Sequence, residues 1–441
     1  MIEEKKSMPS CQLAVMPQRA LVDEPLSMRL AGLQPRQTVT VRTRTQDGSL
    51  KTWEAFATFI ADEQGTVDVS TQKPVAGTYD TIDPLGLLWS MSCTDAKRPI
   101  FFTKTKPTSL LITLTAEVEG TIVASTQIER LFAAPGMRIV PIQERGLIGT
   151  LFLPAASGPH SAVIILNGSD GGMREHAAAL LASHGYAALA LAYFGAEELP
   201  AGLLNIPLEY FEKALVWLQA QDDVDEENIA VIGLSRGGEL ALLLGSTFPA
   251  IKAVVAGAPS GIIQSGIKNN TDFSDPAWTR QGQALPYVSY KNTFLSTLDF
   301  MWHWLRHKPF TMVTNFRKAL TSKKAMVEAA TIAVERIQGP ILLISGGDDQ
   351  LWPSTQFSQL IMERLAKYNH PYEYEHLHYE KAGHFVCFPY ALPSLPPMIM
   401  LSPLAGMYLG FGGTPEANAS AAIDSWPKML TFLASALKQS S

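Results

Sequence analysis

The chain is short of cysteine. Its 441 residues hold three, Cys11, Cys93 and Cys387, an odd and scattered set that builds no disulfide framework and suits a reducing compartment. Long apolar runs are missing too. No stretch of about 18 apolar residues occurs, so no membrane-spanning helix is expected. The N-terminal MIEEKKSMPSCQLAVMP lacks the apolar core of a secretory signal, and the final KQSS is not a peroxisomal S-K-L address, so a cytoplasmic location is expected. Excess charge is absent: a net of −6 gives a nucleic-acid partner no support. No Cys/His cluster has zinc spacing, and no G-x-G-x-x-G follows a strand, so neither a metal nor a redox cofactor is expected. Internal repeats and low-complexity tracts are also missing. What remains is an ordinary globular composition, 46% hydrophobic and 17% charged, long enough for two or three domains.

The first third reads as β-structure. TVTVRTRT (Thr38 to Thr45) and LLITLTAEV (Leu110 to Val118) alternate, WEAFATFI (Trp53 to Ile60) is a second β-rich run, and TIVASTQIERLF follows the turn at Glu119-Gly120. Short strands with such punctuation predict a β-sandwich, placed at 1–134. The character changes at Ala134-Pro135-Gly136. SAVIILNG, YAALALAYF, NIAVIGLS, KAVVAGAPS and PILLISGG are continuous apolar runs, the mark of strands buried on both faces of a parallel sheet. Helical stretches alternate with them (Glu175 to Ser183, EYFEKALVWLQAQ, GGELALLLGSTF), so 135–441 is expected to be an α/β domain.

Within NIAVIGLSRGGEL lies Gly233-Leu-Ser235-Arg-Gly237. A G-x-S-x-G pattern alone arises by chance in on the order of one chain in ten of this length. Its setting is more specific: a buried strand runs into Ser235 and an apolar helix leaves it, the strand–turn–helix of a nucleophile elbow. A serine hydroxyl also needs a base. On such a sheet the acid and the histidine follow the serine in chain order. Asp348 and Asp349 follow the strand PILLISGG, and His384 follows the strand YEYEHLHYE in the loop KAGH. Asp349 is favoured as the acid for its spacing to Pro353, with Asp348 as the alternative; one of the two could instead cap the next helix. His376 and His378 lie inside the strand and read as structural. The backbone N–H of Arg236, with that of Ser169 or Asp170 in the glycine-rich NGSDGG loop, would form an oxyanion hole.

A second stretch stands out. Lys291 to Lys324 carries seven Lys/Arg (291, 306, 308, 317, 318, 323, 324) against the single acid Asp299, a net of +6, and is rich in Phe, Trp and Met. One reading is a cap, inserted around 260–335, whose apolar side lines an acyl groove and whose Arg306, Arg317 and Lys318 meet substrate phosphates. The plainer reading is an amphipathic surface helix pair, and a third is attachment to an anionic membrane surface.

Together these motifs resemble the acyl-CoA thioesterase / bile acid-CoA:amino acid N-acyltransferase family over nearly the whole chain. DPLGLLWSMS (Asp83 to Ser92) resembles its N-terminal signature, GYAALALAYFGAEELP its central segment and GLSRGGEL its elbow. SGGDDQLWPS resembles its acid loop, KAGHFVCFPY its histidine loop and GGTPEANASAAIDSWPKMLTFL its closing helix. The resemblance implies an N-terminal β-sandwich joined to an α/β-hydrolase domain, an acyl-CoA substrate, hydrolysis to free acid and CoA, and Ser235, Asp349 and His384 as the triad. The family's acyltransferases typically carry cysteine at the nucleophile position, so Ser235 favours water as acceptor. Between elbow and acid the chain is longer and more apolar than the family pattern. The rival functions are transfer of the acyl group to an amino acid, a general carboxylesterase or dienelactone-hydrolase-like activity, and a non-catalytic binding role.

Overall fold

A computed structural model describes residues 11–267, 275–289, 301–302, 305–306, 308–386, 393, 396–402 and 407–437. Lys291, Asp299 and Cys387, named above, lie outside the described residues, as does part of the expected 260–335 insertion. The chain divides into two compact units: Met1–Lys104 with Thr108–Phe132 and Ala391–Leu395, and Thr105–Pro107 with Ala133–Tyr390 and Pro396–Ser441.

The first unit carries two sheets. In the larger, Arg19–Leu21, Thr121–Leu131, Leu110–Val118, Thr38–Gln46, Thr52–Ile60 and Ala76–Gly77 lie side by side, and Ser92–Cys93 also pairs with Thr52–Ile60. The smaller joins Gln12–Met16, Ser27–Ala31 and Val67–Asp68. Alternation works as the sequence suggests. Val39, Val41 and Thr43 are buried, as are Leu110, Ile112, Leu114 and Ala116, because successive strand side chains point to opposite faces. DPLGLLW forms the one-turn helix Gly86–Trp89 rather than a strand. Asp83 causes this: its carboxylate accepts from the Leu85 N–H at 2.7 Å and the Trp89 indole N–H at 2.7 Å. Gly86 is required there, since a Cβ would meet the Tyr79 ring at 2.3 Å.

The second unit is built on an eight-stranded sheet. Its order is Arg138–Glu144, Leu147–Leu153, Ala187–Ala192, His160–Leu166, Val224–Leu234, Ile251–Gly257, Ile341–Gly346 and Tyr374–Tyr379. Leu147–Leu153 pairs antiparallel with both neighbours; from Ala187–Ala192 onward every pairing is parallel. This is the order of an α/β-hydrolase sheet. The apolar runs are explained by burial: every residue of Ala187–Ala192 and Ile341–Gly346 is buried, and each Leu or Ile so placed contributes roughly 1.5–3 kcal/mol. Glu175–Ser183, Leu208–Gln219, Arg236–Thr247, Ser354–Lys367 and the closing Pro415–Ala436 are helices. The central strand begins at Val224, earlier than its apolar run, because a register shift between Ser161 and Ala162 lets the polar Val224–Asn228 segment join the ladder. His160–Leu166 stops before Asn167, freeing Asn167 and Gly168 for the loop beyond the sheet.

Candidate active site

All parallel strands of this sheet end on one edge, and the residues singled out by sequence follow those ends. Asn167 and Gly168 follow Leu166, Ser235 follows Leu234, Asp349 lies three residues beyond Gly346, and His384 lies five beyond Tyr379. Side chains at the carboxyl edge of a parallel sheet face the crevice where such folds bind ligands.

Ser235 sits at φ 60° and ψ −122°, between the strand and the helix Arg236–Thr247. A non-glycine residue holds such a backbone only when its surroundings enforce it. Here the Ser235 N–H donates to the Gly257 carbonyl at 2.8 Å. The flanking glycines are steric necessities: a Cβ on Gly233 would lie 2.0 Å from the Gly237 carbonyl oxygen, and one on Gly237 would lie 2.4 Å from that of Asn167. The Ser235 hydroxyl makes no capping bond to its helix, which leaves it available for chemistry.

His384 is buried with its Nδ1 2.9 Å from Asp349 Oδ2, and both side chains are 1% exposed. The same Asp349 oxygen accepts from the Ser354 hydroxyl at 2.6 Å, and Oδ1 accepts from the N–H groups of Leu351 and Trp352 at 3.0 and 3.2 Å. Four donors thus hold a carboxylate whose desolvation would otherwise be costly. Asp348 turns elsewhere: its Oδ2 accepts from the Gly413 N–H at 2.9 Å. That bond steadies the 411–413 loop, whose Phe411 carbonyl accepts from the His384 N–H at 2.8 Å. The closing helix helps from the far end, since Asn418 Oδ1 accepts from the Gly383 N–H at 2.8 Å. His376 and His378 stay within Tyr374–Tyr379. His376 bonds the Ser345 hydroxyl at 2.7 Å, and burial with its neighbour His378 pushes its pKa down to about 4.

A chain of contacts links the elbow to the Asp–His pair. The Trp352 indole donates to the Ala258 carbonyl at 2.9 Å, one residue beyond the carbonyl that holds Ser235, and the Trp352 ring stacks edge-on to His384 at 6.0 Å.

The glycine-rich loop approaches from the other side. A Cβ built on Gly168 would lie 3.6 Å from the Ser235 Cβ. Ser169 and Asp170 at its tip are exposed. Asn167 braces it: its Oδ1 accepts from the Gly168 N–H at 2.9 Å and the Arg174 Nε at 2.7 Å, and its carbonyl accepts from the Tyr193 hydroxyl at 2.6 Å. Arg174 also pairs with Asp170 at 3.0 Å.

Arg236 leaves its backbone at the elbow but sends its side chain into the core, where Nη1 meets Glu239 at 3.0 Å. Of the basic stretch, Arg317 and Lys318 are exposed on the helix Val313–Ser322, while Phe316 on its buried face packs on Trp352 at 5.9 Å. Arg306 lies 3.8 Å above the Trp302 ring, with Trp302 and Leu305 both exposed. Reading from sequence missed Ser354, Trp352, Asn418, Arg174 and Glu239. The signals were modest: Ser354 is a small polar residue opening the helix after the acid, and Glu239 is a lone acid in the apolar run GGELALLLG.

Residues 206–439 match the model of the BAAT / acyl-CoA thioester hydrolase C-terminal region, and residues 23–144 match that of the acyl-CoA thioester hydrolase/BAAT N-terminal region. The chain is 32% identical to acyl-coenzyme A thioesterase 2, mitochondrial, of Mus musculus, across 95% of this chain and 88% of that one. It is 31% identical to acyl-coenzyme A thioesterase 1 of Mus musculus, across 94% of each chain. It is 30% identical to the peroxisomal succinyl-coenzyme A thioesterase of Mus musculus, again across 94% of each.

Proposed function

The chain belongs to the acyl-CoA thioester hydrolase/BAAT family, and from that premise we propose that it hydrolyses fatty acyl-CoA to the free acid and CoA through an acyl-enzyme on Ser235. The carrying observation is the buried Asp349–His384 pair at 2.9 Å on the sheet edge where Ser235 ends its strand in a strained elbow. His384 Nε2 takes the Ser235 proton as the hydroxyl oxygen attacks the thioester carbonyl. Asp349 holds the Nδ1–H tautomer and stabilises the imidazolium. The backbone N–H groups of Arg236 and of Ser169 or Asp170 receive the oxyanion, each lowering the barrier by about 3 kcal/mol. The C–S bond breaks, His384 protonates the departing thiolate, and the same imidazole then deprotonates the water that releases the acid. Serine rather than cysteine at position 235 supports water over an amine as acceptor.

Two finer readings belong with this one. The larger sheet of the first unit has one buried face, as packing against a second sheet in a sandwich requires. The exposed Arg317 and Lys318, on a helix whose apolar face packs against Trp352, support the cap reading, with the basic side meeting CoA phosphates. Arg317→Glu with Lys318→Glu is expected to raise KM for acyl-CoA several-fold and leave a short non-CoA ester unaffected; equal effects on both would remove the cap from the mechanism. Among the described residues no helix is long and apolar enough to cross a membrane. A cytoplasmic location is an expectation from sequence, while relatives bear mitochondrial and peroxisomal names; imaging of the tagged protein tests it.

The deciding experiment measures thiol release from a panel of acyl-CoAs by wild type and Ser235→Ala. Release without any amine that falls about 10⁴-fold or more in the variant is expected. Release only after addition of glycine or taurine would make the protein an acyltransferase.

A further inference from the structure

The helix Arg236–Thr247 begins at the proposed oxyanion donor, and its first turn has no side-chain cap. An uncapped first turn leaves its N–H groups without internal partners and prone to fray. Catalysis needs the opposite, a donor already aimed before charge develops. The means of holding it lies beneath. The buried Arg236 guanidinium donates from Nη1 to Glu239 Oε2 at 3.0 Å and from Nη2 to the Gln264 carbonyl at 3.2 Å. Glu239 is fully buried and accepts two further bonds, from the Gln264 N–H at 3.2 Å and the Trp278 indole N–H at 3.0 Å. Its own N–H donates to the Ser235 carbonyl at 3.1 Å, closing the first helical turn. Trp278 is itself sealed against Tyr193 and Phe211. Both ends of residue 236 are therefore tied, the backbone to the elbow and the side chain to a core anchor.

We propose that the buried Arg236–Glu239 pair, anchored by Trp278 and the Gln264 backbone, positions the Arg236 backbone N–H as an oxyanion donor and so acts in turnover without touching substrate. The proposal rests on the acyl-enzyme reading above. The alternative is a pair that only stabilises the fold. The charges are also unequal. Burial pushes the Glu239 carboxyl up to about 7, against the pull of Arg236, Trp278 and Gln264, so the acid can shed its charge if the arginine is lost, whereas a guanidinium cannot. Arg236→Met is thus the variant that keeps the fold, and Arg236→Lys restores a cation that can reach Glu239.

The test compares wild type, Arg236→Met and Arg236→Lys in steady-state thiol release, with thermal melts beside them. A positioning role predicts kcat lowered about 10–100-fold in Arg236→Met with KM changed less than twofold, since only the interaction made in the transition state is loosened. Arg236→Lys should recover kcat to within a few-fold of wild type. Unchanged kcat in Arg236→Met, or a lysine variant no better than the methionine one, would overturn the proposal and leave the pair a stabilising contact. Should wild type release no thiol from any acyl-CoA, the thioesterase reading fails separately. The same three proteins are then compared by their rate of fluorophosphonate labelling at Ser235, which also develops charge on the oxyanion, and the same ranking is expected.

Discussion

Asp349 and Glu239 are both carboxylates sealed inside the second unit, and each meets a basic side chain at about the same distance, 2.9 Å to His384 and 3.0 Å to Arg236. Their surroundings differ. Asp349 receives four donors and faces a histidine, a residue type able to take up and release a proton. Glu239 receives three donors and faces a cation that never changes. The first arrangement suits a group that must stabilise a transient charge. The second suits an anchor. On the proposed mechanism, two buried acid–base pairs of similar geometry divide the labour, one moving charge and one holding the elbow's backbone still.

The largest expected effect would come from cutting the first pair. Asp349→Asn should lower kcat about 10⁴-fold by favouring the wrong histidine tautomer, whereas Asp348→Asn, which keeps one of the two oxygens that accept from Gln350 and Gly413, should stay within about tenfold. Thiol release per folded molecule checks both. A tenfold effect at Asp349 and a larger one at Asp348 would exchange their roles. For stability the order should reverse. Glu239→Ala leaves Arg236 buried without its counter-ion and should cost about 3–5 kcal/mol, read by urea unfolding. A histidine, unlike a guanidinium, carries no fixed charge, so Asp349→Asn should cost no more than about 1–3 kcal/mol.

Acidity separates the pairs further. The Glu239 carboxyl is pushed up to about 7 from 4.5. Between those values the folded state holds a proton that the unfolded state has lost, so stability falls as pH rises through this window and levels off above it. Its contribution is full below 4.5. Relative to Glu239→Gln, which cannot titrate, wild type should therefore lose up to about 3 kcal/mol between pH 4.5 and 7. A flat difference across that range would mean that Glu239 stays ionised throughout.

Much of this edge was legible in the residues. Ser235 was marked by the glycines on either side of it, at the two positions where a Cβ would collide with backbone, Asp349 by following a strand whose unbroken apolar character announced burial on both faces, and His384 only by its place in the loop KAGH after the last, largely polar strand. Long strands such as Leu110–Val118 were readable because nine residues of alternation leave little else to form. The two- and three-residue strands, Val67–Asp68 or Arg19–Leu21, carry no pattern, since their pairing is decided by neighbours distant in sequence. The supports of the site were hidden for a related reason. Ser354 and Asn418 matter through one hydrogen bond each to a residue at least five positions away, and no local period records such a bond. Glu239 was hidden differently, because an acid in a first helical turn is ordinarily a solvated partner of the helix dipole; only its burial shows otherwise.

The smallest difference is the most discriminating, because it removes one neutral donor from each pair. Ser354→Ala deletes the 2.6 Å bond to the Asp349 oxygen that also holds His384. Trp278→Phe deletes the 3.0 Å bond to Glu239. Each removes a bond to a buried carboxylate, and the stability costs should be similar, about 1–3 kcal/mol. Their effects on turnover should part. Ser354→Ala lets the Asp349 carboxylate swing while the imidazole depends on it, so kcat should fall about tenfold, the consequence of an orienting bond worth about 1.4 kcal/mol in the transition state. Trp278→Phe leaves Glu239 still bonded to Arg236 and to the Gln264 N–H, so residue 236 keeps its tie and kcat should fall less than threefold. Matched steady-state assays on the two variants read the ratio directly. Equal losses would mean that the second pair shares in moving charge; a larger loss at Trp278 would make the anchor, and not the acid, the more sensitive support of the elbow.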